Sequence, residues 1–195
     1  MQNKNQNKRI FYIADTHFGH SNIIKMDGRP FADIEEMDSE MIKRWNQVVF
    51  QNDHVYVVGD FAYKNNVDVS YYTTHLNGHI HLIRGNHDKR TDEYEKSFES
   101  VSDILNIKDT AYGQQRDVIM CHYWIPFVQK QRHGAYMLHG HTHTTKEHTI
   151  EEEMKKTIRD NGIRCEAYNV GCMFQDYYPQ TLEQIIARQE RDVVI

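Results

Sequence analysis

The sequence predicts an α/β protein. Three observations lead there. Short apolar runs rich in β-branched and aromatic residues recur along the chain, segments of helical periodicity lie between several of them, and five of the runs end on Asp, Asn or His. Strands alternating with helices mark the α/β class. In open α/β sheets the ligand crevice lies at the carboxyl ends of the strands.

The elements follow in order. The opening stretch MQNKNQNKR is polar and lacks the apolar centre of a secretory signal, so residues 1–8 are expected to form a flexible tail. RIFYIA (9–14) is the first strand. DIEEMDSEMIKRWNQVVF (33–50) sets Ile34, Met37, Met41, Trp45, Val48 and Val49 on one face, which predicts a helix packed by that face. HVYVVG (54–59) is a strand, DVSYYTTHL (68–76) a short helix and HIHLIRG (79–85) a strand. ILNIKDT (104–110), DVIMC (117–121), AYMLHG (135–140) and IRCEAYNVG (163–171) read as further strands. HTIEEEMKKTIRDNG (148–162) spaces Ile150, Met154 and Ile158 four apart. With Thr149 as N-cap and Gly162 as stop, it is expected to be a helix packed through that stripe, a lid or subunit contact being the alternative use. TLEQIIARQERD (181–192) repeats Leu182, Ile185 and Ile186 behind Thr181 as N-cap. No repeat or linker interrupts the series, so residues 1–195 are expected to form one domain.

Composition narrows the function. A formal net charge of -5 argues against a broad electrostatic grip on nucleic acid, while leaving room for a small basic pocket. No apolar stretch approaches the ~20 residues that span a membrane. Cys121, Cys165 and Cys172 are odd in number and lack CxxC spacing. They are expected to be small core residues of a reduced, cytoplasmic protein. The 13 histidines are the anomaly, and their positions decide what they mean.

After RIFYIA come Asp15, Thr16 and His17; after HVYVVG, Asp60; after HLIRG, Asn86 and His87. DVIMC delivers His122, and AYMLHG delivers His141 and His143. Residues two apart on an extended chain point the same way, so Asp15 with His17, and His141 with His143, can each face one ion. Mixed Asp, His and Asn donors without cysteine suit divalent Mn, Fe, Zn or Co. Seven candidate ligands exceed what one ion usually takes, so two ions sharing a bridging carboxylate are expected. Two dications against two aspartates and one hydroxide leave about one positive charge, which attracts a phosphate oxyanion.

On these residues the chain resembles the calcineurin-like metallophosphoesterases. The resemblance runs from Asp15 to His143 and is expected to extend over the whole chain. It implies a four-layer α/β/β/α sandwich of two mixed sheets flanked by helices. It also implies that Asp15, His17, Asp60 and His143 hold a first metal, that Asp60 bridges, and that Asn86, His122 and His141 complete a second. His87 takes the place of the family's proton donor. DTHFGHSNII (15–24), RPF (29–31) and EEMD…WN (35–46) resemble small bacterial and phage-type members. One departure stands out. The protein-phosphatase branch carries GDxVDRG, whereas here GDFAYKNN puts Tyr63 in place of the second Asp. The carboxylate that would orient His87 is missing, leaving Asp88 or a backbone carbonyl to substitute. A phosphoprotein-phosphatase reading is weakened accordingly.

The implied reaction is hydrolysis of a phosphate mono- or diester. A water bridging two metals is acidified toward neutrality, and the resulting hydroxide attacks phosphorus. His87, beside Asn86, protonates the leaving alkoxide, an effect worth about 10²–10⁴-fold. Gly85 is expected to make the tight turn that aims both. His20 and Arg29 are candidate phosphate contacts, Arg29 having a surface ion pair with Glu35 and Glu36 as its alternative. His139 either fixes a ligand by a hydrogen bond or is a plain strand residue. His54, His75, His79, His81, His133 and His148 are expected on the surface or in strands. HYWIPF (122–127) is core or a pocket wall. The expected partner is a small phosphorylated substrate, a nucleotide among the candidates. Two rivals remain. A nuclease on the same centre would need a basic groove, and a non-catalytic scaffold would have lost ligand residues.

Overall fold

The structure, a computed structural model, describes residues 8–63 and 67–192; the polar segment expected as a tail lies outside them except for Lys8. Strands β1 (Ile10–Ile13), β2 (His54–Val58), β3 (His79–Ile83) and β4 (Ser100–Ser102) form one sheet in that order, every pair parallel. Strands β5 (Ile104–Ala111), β6 (Gln114–Cys121), β7 (Tyr136–His139) and β8 (Ala167–Asn169) form the other. There β5 and β6 are an antiparallel hairpin and the remaining pairs are parallel. Its two-residue turn, Tyr112 and Gly113, takes positive φ at both positions, as the tight primed turns require. Only this second sheet is mixed, so the expectation of two mixed sheets is corrected for the first: parallel strands need crossover helices, and the first sheet has one after each of its first three strands.

Helices α1 (Ser21–Asp27), α2 (Ile34–Val48), α3 (Val69–His75) and α4 (Asp92–Glu95) follow β1, β2 and β3 in those crossovers. Asp33 caps α2 by accepting the Glu36 N–H at 2.8 Å. The helix lays Met37, Met41 and Trp45 on Phe11, Ile13, Val55, Val57 and Leu82 of the first sheet. The opposite face of that sheet, with Tyr12, Val58 and Ile83, meets Val118, Met120 and Leu138 of the second. Helix α6 (Leu182–Asp192) closes this middle core with Leu182, Ile185 and Ile186. Helix α5 (Lys146–Asp160) lies on the outer face of the second sheet. The layers are those of the four-layer sandwich.

Alternation between the two faces explains the strand predictions. The short elements escaped because they are too brief to show a period: β4 is three residues, and α1 buries only Ile23. The predicted strand 163–171 shrinks to Ala167–Asn169. Helix α5 departs most. It is capped by Thr145 and not Thr149, and so starts four residues earlier. Of the expected stripe Ile158 packs inward, whereas Ile150 is 55% and Met154 48% exposed. The buried face carries Glu151 and Lys155 instead.

The three cysteines are buried and free, as expected of core residues. Three of the remaining histidines gather at the end of the first sheet away from the candidate ligands. His54 Nδ1 and His81 Nε2 lie 2.8 Å apart, His81 Nδ1 meets Ser100 Oγ at 2.8 Å, and His54 stacks on His79. The His54–His81 bond needs one neutral ring. Burial, then the charge of His54, push the His81 imidazole down to about 4, against Glu99 nearby. Protonation therefore favours the unfolded chain, whose histidine titrates near 6.5. Stability is expected to be complete above pH 6.5 and to fall as pH drops from 6.5 toward 4. Thermal melts across that range check it, and His81→Gln should flatten part of the loss; an unchanged slope would speak against His81 as a source.

Candidate metal centre

Seven residues from five strand ends converge where the two sheets meet. Asp15 and His17 follow β1, Asp60 follows β2, Asn86 follows β3, His122 follows β6, and His141 and His143 follow β7. Ligand-type atoms of Asp15, His17 and His143 lie within 4.8 Å of one another, as do those of Asp15, Asp60 and His122. His17 Nε2 and His122 Nε2 stand 3.6 and 3.5 Å from the same Asp60 Oδ2. His122 Nε2 is also 3.1 Å from Asn86 Oδ1. The His141 ring packs 5.1 Å from that of His122, outside both clusters, and its backbone N–H reaches the Asp15 carboxylate at 3.1 Å.

The electrostatics call for a cation. Asp15 and Asp60 are buried, and burial raises the Asp15 carboxyl against the pull of His143 and His122. Burial works the same way on Asp60, but the His122 hydrogen bond and charge prevail and hold it at about 2. His122 is pushed the other way. Its burial disfavours charge, yet Asp60 and Asp15 raise it to about 9. Two buried carboxylates thus draw a proton onto an imidazole between them. Both ring nitrogens of His17 are buried with no hydrogen-bond partner, which is costly for groups that could bond. Oxygen and nitrogen donors arranged this way fit divalent ions.

The backbone is bent to the purpose. Asp15, His17, Asp60, His141 and His143 all take positive φ, between 45° and 74°. Non-glycine residues rarely do so, and such positions cost on the order of 1–3 kcal/mol where the surroundings must enforce them. Bonds from His17 N–H to Asp60 O and from Asp15 N–H to Gly59 O hold two of them. Gly85 acts differently from its expected part as a tight turn. A Cβ there would sit 2.1 Å from Asp60 Oδ1, so its absence lets the carboxylate pack against the chain. Beside the cluster opens a cavity of about 390 Å³, lined among others by His20, Ile23, Met26, Tyr63 and His87.

The family model of the calcineurin-like phosphoesterase superfamily domain matches residues 9–187. The chain belongs to that superfamily. An uncharacterized protein of Methanocaldococcus jannaschii is 31% identical over 96% of this chain and 95% of its own length. The gene 66 protein of Mycobacterium phage L5 is 29% identical over 69% of this chain and 77% of its own. A protein of unknown function from Aquifex aeolicus shares the fold, with a TM-score of 0.66, 23% identity and coverage of 97% of this chain and 100% of that one.

Around the ligand-type residues of this calcineurin-like phosphoesterase, hydrogen bonds fix which ring nitrogen faces inward. His122 Nδ1 donates to Val58 O at 3.0 Å, leaving Nε2 toward Asp60. His143 Nδ1 lies 3.2 Å from Asp27, leaving Nε2 toward Asp15. Such partners orient a metal-binding imidazole and raise its basicity. Nothing in the sequence singled out Asp27, because its partner lies far along the chain. Arg29 is corrected on both counts. It is neither a phosphate contact nor a surface ion pair with Glu35 and Glu36, but is buried, donating to Asp15 O at 2.7 Å, Thr16 O at 2.9 Å and Asp27 at 3.1 Å. It braces the backbone beneath Asp15.

Asp88 is also corrected. It accepts the N–H groups of Asp60, Phe61 and Gly85 and the Tyr94 hydroxyl, tying the ends of β2 and β3 together. Among the described residues, neither it nor a backbone carbonyl accepts from the His87 ring. His87 is anchored by its own N–H on Asp60 Oδ1 at 2.9 Å, and its side chain is 39% exposed, with Nε2 4.0 Å from Asp60 Oδ2. Tyr63 packs beside it, ring centroids 5.3 Å apart, and stacks on His20 at 3.8 Å. Of HYWIPF, Tyr123 and Phe127 are exposed, while Trp124 and Ile125 pack against the outer core of the second sheet.

Proposed function

We propose that the chain is a metal-dependent hydrolase of phosphate mono- or diesters in which His87 protonates the leaving group. One observation carries this reading: two overlapping clusters of buried carboxylate and imidazole, sharing Asp15 and abutting at Asp60, open into a cavity that His87 also lines. Two divalent ions bound there, of the Mn, Fe, Zn or Co kind, would supply an acidified water and a clamp on the phosphoryl oxygens. Asp15, His17 and His143 are assigned to one ion, Asn86, His122 and His141 to the other, and Asp60 to both. His20 has its ring held by Tyr63 and offers a donor to a phosphate oxygen. His87 reaches the ester oxygen from the cavity wall. Ile23 and Met26 form an apolar flank for the organic part of a small phosphorylated substrate.

The test joins metal analysis to a substrate screen. After Mn²⁺ reconstitution, elemental analysis is expected to return two ions per chain. A screen of phosphomonoesters, phosphodiesters and cyclic nucleotides is expected to find hydrolysis that a chelator abolishes. No more than one ion per chain refutes the dinuclear centre. Full loading without any turnover favours the scaffold reading.

A further inference from the structure

The buried face of α5 holds a charge cluster outside the metal centre. Lys155 is 0% exposed, and its Nζ lies 2.5 Å from Glu151, 2.8 Å from Glu152 and 2.9 Å from His139 Nε2. His148, Glu151 and Glu152 also form a set with metal-ligand spacing. The ammonium sits on both carboxylates, so the cation position is taken by the protein itself. Burying Glu151 and Lys155 costs several kcal/mol per ion before their attraction repays it, and an apolar face would serve stability as well. The question is what the cluster holds.

It holds the loop that carries His141 and His143. Lys155 Nζ and Glu151 Oε1 both meet His139 Nε2, at 2.9 and 3.0 Å, and His139 Nδ1 donates to Gly140 O at 3.2 Å. Glu151 accepts the Thr142 hydroxyl at 3.3 Å, and Thr142 accepts from Asn169 at 3.0 Å. Gly140 and Thr142 alternate with His141 and His143, whose φ values of 74° and 45° the loop would not keep unaided. Thr142 is thus tied to α5 directly and Gly140 through His139, while His141 and His143 face the centre. We infer that Glu151, Lys155 and His139 are positioning residues that set the geometry of His141 and His143 for metal binding. The assignment rests on the proposed metal centre.

The test replaces the buried pair together, by Glu151→Leu with Lys155→Met. Removing both charges spares an unpaired ion in the core, so the unfolding temperature is expected to stay near that of the wild type. Mn²⁺ affinity by calorimetric titration should nonetheless fall about 10–100-fold, the range seen when outer partners of metal ligands are lost. A folded double variant with wild-type affinity would overturn the assignment. Thr142→Val, which cuts one tie at a half-buried position, guards against a double variant that does not fold. It is expected to weaken Mn²⁺ binding, and unchanged affinity there overturns the assignment equally. A wild-type protein that takes up no Mn²⁺ removes the proposed function, and the assignment with it.

Discussion

Asp60→Asn is expected to strip both metal ions from the protein, whereas His17→Ala strips one. Asp60 Oδ2 stands between His17 and His122, one from each cluster, so its charge serves both sides. Asn keeps the shape, and it tolerates the left-handed backbone that Asp60 adopts at φ 54°. The substitution therefore isolates charge from conformation. Losing two ions removes several kcal/mol of transition-state stabilisation, so activity should fall on the order of 10³-fold or more. His17→Ala adds little to the strain that φ 50° already imposes on a residue with a Cβ, but it empties a buried site and so carries its own folding cost. Unfolding temperatures should be read beside metal content for that reason. Equal metal loss in the two variants would tell against Asp60 as the bridge.

His87→Ala is expected to leave both ions bound and to slow turnover by about 10²–10⁴-fold. The side chain is 39% exposed and lines the cavity, and the carboxylate 4.0 Å from its Nε2, that of Asp60, keeps the nearer His17 and His122 when residue 87 is truncated. The backbone N–H that anchors residue 87 to Asp60 survives the change. The penalty should depend on the leaving group. A nitrophenolate departs with little help and should suffer least, whereas an alkoxide needs its proton and should suffer most. Falling metal content would make His87 a ligand. An equal penalty for good and poor leaving groups would make it a binder of phosphate oxygens.

Much of the fold was legible because strand propensity and face alternation are local. RIFYIA, HVYVVG and HIHLIRG each carry their own apolar run. Helix α5 shows where that reasoning misleads. Ile150, Met154 and Ile158 have ideal spacing for a buried stripe, yet Ile150 and Met154 face solvent and the helix is turned to bury Glu151 and Lys155. Spacing reports amphipathicity, and it says nothing of a polar face that has partners waiting. Arg29 and Asp88 were misread for a related reason: both side chains are consumed by backbone groups, which are invisible in a sequence because every residue has them.

By itself the sequence determined the order of the longer strands and helices and the placing of Asp15, His17, Asp60, Asn86, His122, His141 and His143 at strand ends. Those are contiguous facts, an apolar run and the polar residues that follow it. Only the tertiary structure decided which ring nitrogen faces inward, through Val58 and Asp27, and which cation is a brace, through Arg29 and Lys155. It also decided that five of the ligand-type residues adopt left-handed backbone. The physical reason is common to all of these. A buried charge, an oriented imidazole or a strained φ persists only where several partners, distant along the chain, arrive together and outweigh its cost.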